Sequence, residues 1–114
     1  MTIPNLRGYE LENQIYSAMS RVIVLWFSKI ERDAEEWKQI QITLIGARLE
    51  TANLEIIQGF PPLKSCETSE KQTQQGKRIQ FAIYFDKGVM SFECENIACS
   101  EYSRKIRVLR SSEP

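Results

Sequence analysis

A chain of 114 residues suits one hydrophobic core and is too short for two ordinary domains, so residues 1–114 are expected to form a single domain. With 42% apolar and 26% charged residues, the composition is that of a globular protein and not of a disordered one. Fifteen Lys and Arg balance fifteen Asp and Glu, which removes any global field that would draw the chain to nucleic acid or an anionic membrane.

Taken from the N-terminus, Met1-Thr2-Ile3-Pro4-Asn5 has neither the basic start nor the apolar stretch of a secretory leader, and a cytoplasmic location is expected. Leu11, Ile15, Ala18, Met19 and Val22 fall on one face of a helix, and the spacing predicts a short helix over about 10–19, although Tyr9, Leu11 and Ile15 also suit a strand with gaps. Val22 to Phe27 is a run of β-branched, aliphatic and aromatic residues that predicts a buried strand. It is also the longest apolar run, far short of the ~20 residues a membrane helix needs.

Glu31, Asp33, Glu35 and Glu36, followed by Trp37, then place four carboxylates in what reads as a loop between strands. Ile40, Ile42 and Leu44 alternate with Gln41 and Thr43 in a second strand, ended or bulged at Gly46. Leu49, Leu54, Ile56 and Ile57 predict a return strand, closed by Gly59-Phe60-Pro61-Pro62, because consecutive prolines cannot continue a ladder. Residues 64–77 are polar and without periodicity, and a mobile loop is expected there.

The clearest signal lies at 78–96. Ile79, Phe81, Ile83 and Phe85 share one face of a strand, and Met90, Phe92 and Cys94 share one face of the next. Bringing those faces together predicts a hairpin with Phe85 opposite Met90, Ile83 opposite Phe92 and Phe81 opposite Cys94, its turn helped by Gly88. Ile106 and Val108 alternating with Lys105 and Arg107 suggest a basic edge strand, and 111–114 a short flexible tail. The predicted fold is mainly β, an antiparallel meander forming a small sandwich or open barrel, with or without one short N-terminal helix.

Reactive chemistry finds little support. The chain has no histidine, which removes Ser–His and Cys–His nucleophile pairs. Cys66, Cys94 and Cys99 fit neither a CxxC redox pair nor a zinc knuckle, an odd count suits a reducing compartment, and no metal site is expected. Cys94 lies on the apolar face of the hairpin and reads as packing. Glu93 and Glu95 on one strand would stand roughly 7 Å apart, but nothing nearby suggests the split acidities an acid–base pair requires. The five glycines form no phosphate loop, and Gly76-Lys77-Arg78 precedes a strand where such a loop needs a helix. Tyr84 with Arg78, and Tyr102 with Arg104 and Lys105, make only a thin nucleic-acid surface. No catalytic residue and no cofactor is predicted.

The acidic segment is the main candidate site. Glu31, Asp33, Glu35 and Glu36 would dock on a basic protein surface and raise the association rate, with Trp37 as a rim anchor. A solvated connection is the plainer reading of the same residues.

The layout of Trp37, Ile40, Ile42, Leu44 and Gly46, then Ile56 with Gly59-Phe60, then Ile83, Phe85, Gly88 and Ser91-Phe92-Glu93-Cys94 resembles that of small β-rich immunity proteins of bacterial toxin systems. The resemblance spans about residues 20–100 and is one of strands and turns, without a diagnostic motif. It implies a stoichiometric inhibitor of a partner protein, such as a basic toxin domain, and carries over no contact residues. The sequence therefore predicts a non-catalytic protein-binding module. Its rivals are a β-barrel binding a small ligand or nucleic acid, which would show a deep apolar pocket or salt-sensitive binding to oligonucleotides, and a structural subunit, which would show a broad exposed apolar patch or a stable oligomer.

Overall fold

The computed structural model describes residues 3–54, 63–74 and 76–105. Eight strands follow one another: β1 (Glu10–Ser17), β2 (Val22–Glu31), β3 (Glu36–Ile45), β4 (Arg48–Leu54), β5 (Ser65–Thr73), β6 (Gly76–Phe85), β7 (Gly88–Cys94) and β8 (Asn96–Lys105). They build two four-stranded antiparallel sheets, β1-β2-β3-β8 and β4-β7-β6-β5, which stack as a sandwich and do not close into a barrel. The predicted mainly-β antiparallel fold is what the structure has.

Two strands pass from one sheet to the other side by side. β3 runs through Gly46-Ala47 into β4, and β7 runs through Glu95 into β8. Ile45 faces Asn96 on one side of this corner and Arg48 faces Glu93 on the other. The Glu95 N–H donates to the Ile45 carbonyl at 2.8 Å, and the Ala47 N–H to the Arg21 carbonyl at 2.7 Å, so the backbone stays hydrogen-bonded through the bend.

Alternation explains the core. Ile23, Leu25 and Phe27, with Ile40, Ile42 and Leu44, point inward from the first sheet; Phe81, Ile83 and Phe85, with Met90, Phe92 and Cys94, point inward from the second. Fully burying each large side chain of this set contributes roughly 1.5–3 kcal/mol against chain entropy. Phe81 and Phe92 lie at the centre with ring centroids 6.4 Å apart. Leu6, Tyr9 and Leu63 complete the core, fixed by the Gly8 N–H to the Leu63 carbonyl (3.0 Å) and the Leu63 N–H to the Tyr9 carbonyl (2.8 Å).

Three expectations are corrected. Residues 10–17 are strand and not helix. A bulge between Leu11 and Asn13 shifts the alternation, so Leu11 faces inward opposite Phe27 while Ile15 faces outward opposite Val24. The spacing that imitates a helix face therefore joins residues from both faces of the sheet and from the turn after β1, and no single surface carries it. The expected mobile loop at 64–77 is largely β5 and the start of β6, paired from Ser65–Tyr84 to Thr73–Gly76. β5 is a polar edge strand with little to bury, so it carries no hydrophobic period and depends on β6 for its form. The β6–β7 hairpin has the predicted parity but a register shifted by two: Ile83 faces Met90, Phe81 faces Phe92 and Ile79 faces Cys94. A two-residue turn, Asp86-Lys87, closes it, and Gly88 already belongs to β7. The end of the predicted return strand at Ile56 and Ile57, the closing Gly59-Phe60-Pro61-Pro62, the edge strand at Ile106 and Val108 and the tail at 111–114 lie outside the described residues. Among the described residues no helix is long and apolar enough to cross a membrane.

Candidate functional site

The carboxylates of the 31–36 segment sit on a tight connection. Glu31 ends β2, Glu36 opens β3 directly opposite it, and residues 32–35 turn between them, with Glu35 at φ +50°. The structure separates this group from Trp37. Glu31 and Glu36 share the face that further along carries Phe27 and Ile40, whereas Trp37, opposite Ile30, belongs to the other face. Basic side chains also surround the acids. Lys38 Nζ reaches Glu31 at 3.3 Å and Lys29 Nζ reaches it at 3.8 Å. Arg32 lies in the turn and Lys105 is opposite Glu36. The hydrogen bond and charge of Glu31 push the Lys38 amine up from its ordinary value. The end of this hairpin is therefore of mixed sign.

The outer face of the first sheet is different in kind. Register places Val22, Val24, Trp26, Ser28 and Ile30 on it from β2, and Trp37, Gln39, Gln41, Thr43 and Ile45 from β3. β8 adds Asn96, Ala98, Ser100, Tyr102 and Arg104. Of these positions only Arg104 is charged, and its guanidinium lies 4.8 Å from the centre of the Trp37 ring. Ile30 is 60% exposed, Ile15 on the β1 margin 52% and Tyr102 51%. On that same margin are Glu10 and Glu12, and Gln39 Nε2 donates to Glu12 Oε2 at 3.1 Å. Sequence reading found Trp37 but not the surface, because the surface needs the pairing of four strands, β8 among them, that local pattern does not supply.

The outer face of the second sheet is a polar lattice. Glu93, 5% exposed, accepts from Arg78 Nε at 2.7 Å and from Arg48 Nη2 at 3.0 Å, with Lys71 Nζ at 3.7 Å. Arg78 also donates to the Gly46 carbonyl at 2.9 Å and to Glu95 Oε1 at 3.4 Å. The hydrogen bond from Arg48, joined by that from Arg78, holds the Glu93 carboxyl below its ordinary range despite burial. Glu93 is thus kept ionised, the opposite of what a general acid needs. The Tyr84 hydroxyl donates to Glu67 at 2.6 Å, which together with burial raises its pKa.

Between the open edges of β1 and β4 lies a cleft of about 600 Å³, lined by Gln14, Ile15, Tyr16, Ile23, Leu49 and Phe92, with Arg48 at its rim. All three thiols are pushed up by burial, Cys94 to about 11. A shift from 9.0 to about 11 lowers the thiolate fraction roughly 100-fold near neutrality. Cys94 is accordingly expected to alkylate about 100-fold more slowly in the folded protein than in urea. Mass spectrometry of timed iodoacetamide reactions would check this, and equal rates would show that the thiol is not shielded. Among the described residues no group of three His, Cys, Asp or Glu is placed to hold a metal ion. No protein-family model, no curated protein and no solved structure matches the chain.

Proposed function

We propose that this chain is a non-catalytic protein-binding module, and that it binds through the outer face of the β1-β2-β3-β8 sheet. The observation that carries the reading is the contrast between the two outer faces. One is a lattice of ion pairs suited to water; the other carries Trp26, Trp37, Tyr102 and five Ile and Val side chains, with one charge across β2, β3 and β8. Removing charge from the centre of a surface and concentrating aromatics there is the composition of a docking patch. Inhibition of a partner, the mode that the immunity-protein resemblance implies, needs nothing more than such occupancy.

Capture from native lysate with the full chain as bait tests the assignment. Ile30→Lys and Trp37→Ala are each expected to lower recovery of a specific partner at least tenfold, the scale of a hot-spot loss. Charge reversal at Glu31, Asp33, Glu35 and Glu36 is expected to change it less than threefold. The converse result would move the docking surface to the hairpin end. A second reading, binding of a small apolar ligand, is favoured by the β1/β4 cleft, whose size falls in the range of ligand pockets. Leu49→Trp would fill that cleft and abolish such binding while leaving protein capture intact.

A further inference from the structure

We infer that the occupant of the outer face of the first sheet is a second copy of this chain, related by a two-fold axis lying in the interface parallel to the strands. The inference rests on reading that face as the docking surface and goes on to name what docks there.

Area is the first argument. Four strands about 4.8 Å apart, running some 30 Å, present about 600 Å² on each copy. Two such faces bury more than ~1,000 Å², the level that a specific interface needs. The surface is therefore large enough for a symmetric dimer without any other element.

Charge is the second argument, and it selects the axis. A two-fold parallel to the strands lays β2 over β3 and β1 over β8 of the other copy. The uncharged positions Val24, Trp26, Gln41 and Thr43 then meet near the axis, where burying an unpaired charge would be costly. At the margins, Arg104 on β8 comes over the β1 edge that carries Glu10 and Glu12, once on each side of the axis. A two-fold across the strands would instead set β1 over β1 and leave Arg104 without an opposing acid. Aligned stacking of this kind is the ordinary way for two twisted sheets to pack.

Sedimentation equilibrium of the full chain, from low to high micromolar concentration, tests the inference. A concentration-dependent dimer is expected. Ile30→Lys and Tyr102→Lys should each weaken it at least 30-fold, whereas Lys71→Glu on the opposite sheet should leave it within threefold, all variants being checked for a native circular dichroism spectrum. Arg104→Glu should weaken association, and Arg104→Glu combined with Glu10→Lys and Glu12→Lys should restore it, which only the strand-parallel axis predicts. A chain monomeric throughout the range, or a dimer indifferent to Ile30→Lys and Tyr102→Lys, overturns the inference. If the monomer still captures a different protein through Ile30 and Trp37, the docking surface stands and only its occupant changes.

Discussion

Glu93→Gln is expected to lower the unfolding free energy by about 2–3 kcal/mol at pH 7, far more than an ordinary surface charge. Breaking a buried ion pair by removing one partner costs roughly 3–5 kcal/mol, and the discount here reflects Arg48 and Lys71, whose side chains are 67% and 48% exposed and can rehydrate. Arg78, only 12% exposed, cannot do so without giving up its bond to the Gly46 carbonyl. A glutamine also turns an N–H group toward guanidinium donors that need an acceptor. Because the folded carboxyl titrates below its ordinary value of 4.5, its contribution is complete above that value and is lost as pH falls through the folded pKa. Urea unfolding should therefore show a gap between wild type and Glu93→Gln that is full at neutral pH and narrows progressively in acid. Glu70→Gln serves as the control. Its pair with Lys77 is 3.6 Å long but about 70% exposed on both sides, and its loss should be within the noise. An undiminished gap in strong acid would mean that Glu93 acts by shape and not by charge.

The strands that bury one clean face were legible in the sequence, because water enforces alternation wherever a core must form. Ile23–Phe27, Ile40–Leu44 and the 79–94 hairpin are of this kind. Parity was recoverable and register was not: a slip of two keeps Phe81, Ile83 and Met90 inward, so the apolar pattern is equally content with either pairing. β1 and β5 were hidden for opposite reasons. The apolar side chains of β1 change face at the bulge by Glu12, so their spacing fits no strand face and coincides with a helical one, whereas β5, polar on both faces, has no apolar spacing at all. Of the candidate site, Trp37 could be named from its residue type, but beyond Ile30 its cross-strand neighbour on the outer face is Arg104 of β8, more than sixty positions later. Nor could the sequence separate Trp37 from Glu31 and Glu36. Adjacency in the chain suggests one patch, whereas a strand turns successive side chains to opposite faces.

Substitution of Gly46 should cost nearly as much as loss of Glu93, and for a different physical reason. Its φ of +62° is the left-handed region, where an L residue pays about 1–2 kcal/mol. A Cβ built at this position would stand 2.7 Å from Glu95 Cδ and 2.8 Å from Cγ, closer than such atoms come. Glu95 can swing away, since its side chain is 66% exposed, but it then releases Arg78. Gly46→Ala is thus expected to lose about 2 kcal/mol and Gly46→Val about 3 or more, a β-branched residue being the worse fit to positive φ. Asparagine should cost least, because its side chain tolerates this conformation. Pairing Gly46→Ala with Glu95→Ala isolates the two parts: the clash disappears and the backbone strain stays, so roughly half the loss should return. Gly76→Ala provides the strain alone, with φ +104° and nothing within 4 Å of the added carbon. Thermal unfolding of the five variants measures all of this at once. Equal losses at Gly46 and Gly76 would mean that the corner is not clamped by side chains, and that the β3–β4 and β7–β8 crossings are held by their backbone ladder alone.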